Sequence, residues 1–204
     1  MRYDANPVIA RSGWLSLGLL SLLALVLWRN AGTVYAAPVA LVALLVAFKF
    51  RDPDRKVPGA RLGILSPVDG HVTEVQRIED GPFGGPALRV LIAISPLTVY
   101  GVRSPIEGVV NDPATLCRSV GYHRGLCLRT DEGQPLLLRL AHFGFGAPKA
   151  KVNIGQRLGQ GERCGSVRFA HSAELLMPAS AAARIAPRDA VEAGTTVLAE
   201  FASR

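Results

Sequence analysis

At 204 residues, the chain is long enough for one packed domain and a modest appendage, and 49% hydrophobic against 19% charged residues tilts so small a protein toward the membrane. A formal net charge of +7 with a pI near 9.8 points to an acidic partner. Aromatic residues make up only 6%, and no run of Lys or Arg alternates with them, so nucleic acid is excluded in favour of the anionic face of a bilayer.

The first fifty residues differ in texture from the rest. Gly13 to Trp28 and Ala31 to Phe48 carry no charge. Both runs are short for transmembrane helices, and Trp14, Trp28 and Tyr35 sit near their ends, where interfacial aromatics belong. A turn at Arg29-Asn30 leaves room only for a tight hairpin. A secretory signal would be followed by a small-residue cleavage site rather than a second hydrophobic run, and a soluble helical hairpin would show a polar face. The expectation is a transmembrane helical hairpin over residues 1–50. Arg2 and Arg11 precede it, Lys49, Arg51, Arg55 and Lys56 follow it, and only Arg29 lies between. The positive-inside bias places both termini, and the domain over residues 51–204, on the cytoplasmic side of the inner membrane.

From Val57 onward, short apolar stretches alternate with Gly and Pro. Arg89 to Ser95, Leu136 to Phe143 and Thr195 to Phe201 read as strands, so this domain is mainly β. Two internal echoes run through it. Ser66-Pro67-x-Asp69-Gly70-x-Val72 returns as Ser104-Pro105-x-Glu107-Gly108-x-Val110. Lys151 to Val167 and Ala183 to Phe201 share a second plan, read as hairpins in which Gly supplies a positive φ. Such units also build lipoyl and biotinyl carriers, but no Lys stands at a suitable hairpin tip. Cys117, Cys127 and Cys164 lack zinc spacing and are odd in number, which fits buried thiols in a reducing compartment. His71, His123, His142 and His171 show no ligand spacing either, so no metal is expected.

Three stretches in order carry a resemblance. Phe48 to Gly59 (FKFRDPDRKVPG) is followed by the two Ser-Pro motifs, and then by Gly159 to Pro178 (GQGERCGSVRFAHSAELLMP). Together they resemble the short, membrane-hairpin form of phosphatidylserine decarboxylase over nearly the whole chain. The resemblance implies a flattened β-barrel or sandwich and a role in phospholipid metabolism. It also implies a cofactor made from the chain itself: a Ser attacks the peptide bond after a Gly, the chain splits, and a pyruvoyl group remains as the electron sink. The family's parts for this are an Asp in the first Ser-Pro loop, a His in the second stretch and the Gly-Ser pair.

Only the first part carries over. Asp69 matches the acid. Tyr100 stands at the His, with Thr98 and Val102 replacing further family residues, while Arg103 and Pro105 remain. Ala170 stands at the Gly and His171 at the Ser, and an imidazole cannot become a pyruvoyl group. The expectation is therefore a decarboxylase-like scaffold without its centre and without a cofactor. Asp69 then reads first as a turn acid bonding its own backbone. The competing expectation is an active enzyme, with a pyruvoyl group, cut at the chain's one Gly-Ser dipeptide, Gly165-Ser166. Candidate contacts to lipid or phosphate are Arg51, Arg55 and Lys56 at the bilayer surface, Arg103, and His123 with Arg124 in the stretch Val120 to Gly125. Expected partners are an anionic phospholipid membrane, a phosphatidylserine or phosphatidylethanolamine head group, and a second copy of the chain or an authentic family enzyme.

Overall fold

The computed structural model describes residues 14–49, 55–60, 62–95, 101–117, 125–142, 152–167 and 170–202. The chain divides into two compact units, Met1–Asp54 and Arg55–Arg204.

The first unit is helical. α1 (Trp14–Ala31) and α2 (Thr33–Lys49) pack against each other across a single intervening residue, Gly32. The turn lies later than the expected Arg29-Asn30. Gly32 takes φ +88, the left-handed cap conformation that only glycine adopts cheaply, and Arg29 stays in the last turn of α1, where a cation suits the negative end of the helix dipole. The Asn30 amide donates to the Val26 carbonyl at 2.9 Å, four residues back. α1 is long and apolar enough to cross a membrane, whereas α2 is shorter. Large apolar side chains are exposed on both, among them Leu19, Leu22, Leu41 and Leu44.

The second unit is mainly β and wholly antiparallel in its described pairings. Its elements are β1 (Gly63–Leu65), β2 (Gly70–Ile78), β3 (Ala87–Ile94), β4 (Gly101–Arg103), β5 (Gly108–Asn111), a turn of helix α3 (Pro113–Leu116), β6 (Leu126–Arg129), β7 (Pro135–His142), β8 (Arg157–Leu158), β9 (Arg163–Ser166), β10 (Ala170–Pro178), β11 (Ala182–Ala183), β12 (Ala190–Val191) and β13 (Val197–Glu200). Eight strands form one sheet in the order β12-β2-β3-β10-β7-β6-β5-β8, with smaller sheets β1-β13-β11 and β4-β9. Among the described residues no sheet closes into a barrel. The eight-stranded sheet ends on the two-residue strands β12 and β8, and a single core joins its inner face to both small sheets.

Alternation sets that core. Leu88, Val90 and Ile92 of β3, Ala173, Leu175 and Met177 of β10, and Leu136 and Leu138 of β7 face inward, as a period of two requires. On the outer face, Glu174 accepts from Arg89 at 2.7 Å and Arg139 at 2.9 Å, one on each neighbouring strand. Also on that face, Cys117, Cys127, Leu137 and Leu176 form a small second cluster with Ile78, Phe83 and Leu116.

Both sequence echoes are one structural fact. Leu65 N–H donates to the Pro105 carbonyl at 2.8 Å and Arg103 N–H to the Pro67 carbonyl at 2.9 Å, so the two Ser-Pro turns cross reciprocally. Ser66 exchanges backbone bonds with Gly194 and Thr196, and Ser104 does the same with Gly161 and Glu162. β1 pairs with β13 as β4 pairs with β9, and β2 with β12 as β5 with β8. Both stretches expected to be hairpins therefore pair with the Ser-Pro segments, and only Ala183 to Phe201 also pairs with itself, Ala183 opposite Ala199. Gly161 and Gly194 carry matching φ of 75 and 74, while Gly155 (φ 84) is matched by Arg188 (φ 80). The β unit is an internal duplication.

Candidate functional site

The first Ser-Pro turn lifts Asp69 to the end of the eight-stranded sheet. The Ser66 hydroxyl donates to the Val68 carbonyl at 2.7 Å, and Ser104 makes the same bond to Ile106 at 2.8 Å in the second copy. Serine thus supplies the side-chain bond inside the turn. The Asp69 carboxylate, expected to accept from its own turn, accepts from remote segments. It takes both Nη groups of Arg55, with Nη2 to Oδ2 at 2.8 Å and Nη1 in close contact with Oδ1. The Ala193 N–H donates to Oδ1 at 2.7 Å, and Arg55 Nη1 donates to the Ala193 carbonyl at 3.0 Å. The pair is mostly buried, with side-chain exposures of 15% for Arg55 and 18% for Asp69. Arg55, expected at the bilayer surface, is committed to Asp69 by a fork-on-carboxylate geometry that Lys could not make.

The second copy lacks this arrangement. Its acid, Glu107, meets Arg157 at 2.9 Å, with 61% and 52% of the two side chains exposed. The same guanidinium holds the exposed Asp131 carboxyl below its ordinary range.

Strand register shows what else lies at the Asp69 end. Gly70 pairs with Ile94, Ser172 with Ala93, and Ala170 with His142. The starts of β2 and β10 and the ends of β3 and β7 therefore share one end of the sheet. His171 is the extra residue of a bulge between Ala170 and Ser172, and its side chain is exposed. Bulges re-aim side chains at sheet rims. Ala170 N–H donates to the Val167 carbonyl at 2.9 Å at the start of β10. Asp69 and His171 thus stand at the same end of one sheet.

Arg103 is largely hidden, at 8% exposure. It donates to the Gly161 carbonyl at 3.1 Å, and its Cδ lies 2.6 Å from where a Cβ on Gly194 would stand. That setting is a structural joint between the duplicated turns rather than an open phosphate site. Gly165 and Ser166 lie inside β9, paired with Val102 and Gly101, and Ser166 is buried. Lys56 is exposed. Arg51, Tyr100, His123 and Arg124 lie outside the described residues. Ala193 was missed in the sequence because it contributes through its backbone. Its only signal was the second echo, which aligns the loop before β13 with the loop before β9.

In sequence order, an apolar helical unit is followed by a duplicated antiparallel β scaffold that presents one clamped acid, Asp69, at the end of its largest sheet. Residues 42–199 match the sequence profile of phosphatidylserine decarboxylase. The chain is 32% identical to the phosphatidylserine decarboxylase proenzyme of Nitrosomonas eutropha and 31% identical to that of Nitrosomonas europaea, with 98% of each chain covered in both cases. It is 30% identical to the proenzyme of Ralstonia nicotianae, over 96% of this chain and 97% of that one. The chain belongs to the phosphatidylserine decarboxylase family.

Proposed function

We propose that this chain is a membrane-anchored, non-catalytic member of its family that holds an anionic phospholipid head group at the cytoplasmic face of the inner membrane. The observation that carries the reading is the start of β10. By the family resemblance Ala170 and His171 stand at the Gly and Ser of the split, and His171 is the bulged residue at the start of β10. No hydroxyl is present at that point to attack the preceding carbonyl, and Ala170 adds a Cβ where a slim residue is wanted. Asp69 is retained but bound to Arg55 and Ala193. Membrane anchoring draws support from α1, whose 18 residues suffice to span, and the +7 charge favours anionic lipid. Lys56, with Arg51, His123 and Arg124, supplies the proposed lipid contacts.

A second reading keeps activity by cutting between Gly165 and Ser166. Its weakness is local: that peptide sits within the paired strand β9, not in a strained turn of the kind self-cleavage exploits. The two readings separate in one experiment on the detergent-solubilised full chain. Native mass spectrometry should show retained phosphatidylserine in preference to phosphatidylcholine, with retention falling as salt rises. Carbon dioxide release from added phosphatidylserine should be absent. Release of carbon dioxide, or equal retention of both lipids, would overturn the proposal, and retention of a protein instead of lipid would replace the head group by a membrane partner.

A further inference from the structure

The duplication provides an internal control on the acid of the candidate site. Both Ser-Pro turns make the same serine-to-carbonyl bond and the same reciprocal backbone bonds, so neither needs a clamped acid in order to fold. Only the first copy has one. Its arginine comes from the arm that opens the β unit, fourteen residues before the acid it grips. The arm continues across the duplicated loops: Val57 Cγ2 lies 2.5 Å from where a Cβ on Gly161 would stand. Further along, the Gln160 amide donates to the Ala60 carbonyl at 3.1 Å and to the Gly63 carbonyl at 2.6 Å. Ala193 and Gln160 are duplicate positions, so the arm is pinned once by each copy, and the pin at the acid is the charged one.

We propose that Arg55 is the positioning residue of the candidate site: it orients the Asp69 carboxylate and, through it, latches the arm onto the β unit. A free arm would release the carboxylate, and neutralising the carboxylate would release the arm. The consequence for ligand binding rests on the head-group reading above, but the latch itself does not. It is therefore tested without lipid, so that the two can fail separately.

The test is limited trypsin digestion of the detergent-solubilised full chain, following cleavage after the exposed Lys56 by mass. Arg55→Gln and Asp69→Asn should each speed that cleavage about tenfold or more, the effect of losing charge-assisted bonds. The double variant should be no faster than the faster single one, because the two changes remove the same contact. Glu107→Gln, the duplicate acid, should leave cleavage unchanged. Should Arg55→Gln fail to fold, Arg55→Lys should show intermediate cleavage, since one ammonium cannot span both oxygens. Unchanged cleavage in the single variants, or effects that multiply in the double variant, would each overturn the proposal.

Discussion

The duplicated turns predict a graded response to adding one methyl group. A Cβ on Gly70 would press into the Ala93 carbonyl, with the carbonyl carbon at 2.9 Å and Ile92 Cγ2 at 3.1 Å. Carbon atoms in contact sit at about 3.5–4.0 Å, so β2 and β3 would have to part locally by at least about 0.6 Å. Ala93 is held in place by His71 on one side and Ser172 on the other, so it cannot swing away. The cost belongs at the upper end of overpacking, about 3 kcal/mol, against a total of roughly 5–15 kcal/mol for a domain. For a domain of this size that lowers the melting point by roughly 6–12 °C. Gly108→Ala should act in the same direction, because its Cβ would meet the Arg129 carbonyl, whereas Gly85→Ala meets nothing within 4 Å and should be nearly neutral. Far-ultraviolet circular dichroism of the detergent-solubilised chain is the assay, since both tryptophans lie in the helical unit. A Gly70→Ala protein that melts within a degree or two of the parent would refute the close approach and, with it, the account of why glycine closes the motif.

Two further outcomes follow from backbone strain and buried thiols. Arg188 carries a positive φ where its duplicate is Gly155, so Arg188→Gly should stabilise by about 0.5–1 kcal/mol, the steric gain less the entropy of glycine, read as a higher urea midpoint; a lower midpoint would count against strain there. Burial pushes the Cys127 and Cys164 thiols up to about 12, from 9.0. Above pH 9 the unfolded thiols lose protons that the folded ones keep, so stability is full below pH 9 and falls as pH rises toward 12, by up to about 1.4 kcal/mol per unit for each thiol. Urea midpoints that stay flat from pH 8 to 10.5, or prompt labelling of these thiols in the folded chain, would contradict their burial.

Much of the architecture was legible because it depends on local composition. Charge-free runs mark α1 and α2, and Arg89 to Ser95 and Leu136 to Phe143 mark β3 and β7. The echoes announced a repeat but not its pairing, since β1 to β13 and β4 to β9 are joined by backbone bonds between remote segments, which leave no side-chain signature. Arg55 was misplaced for a related reason. Among Arg51, Lys56 and their neighbours it looks like one more surface cation, and nothing in the spacing to Asp69 reveals a fork on a carboxylate. Asp69 was read as a local turn acid because its donor partners, Arg55 and the Ala193 N–H, come from remote segments that spacing does not reveal.

The central claim, a family scaffold that does not process itself, is tested most directly by the intact mass of the protein purified from its own membrane. A single uncut chain spanning residues 1–204, with no carbonyl at a new N-terminus within it, is the predicted result. Two fragments would contradict it, and a cut between Gly165 and Ser166 would establish the displaced-centre enzyme in its place.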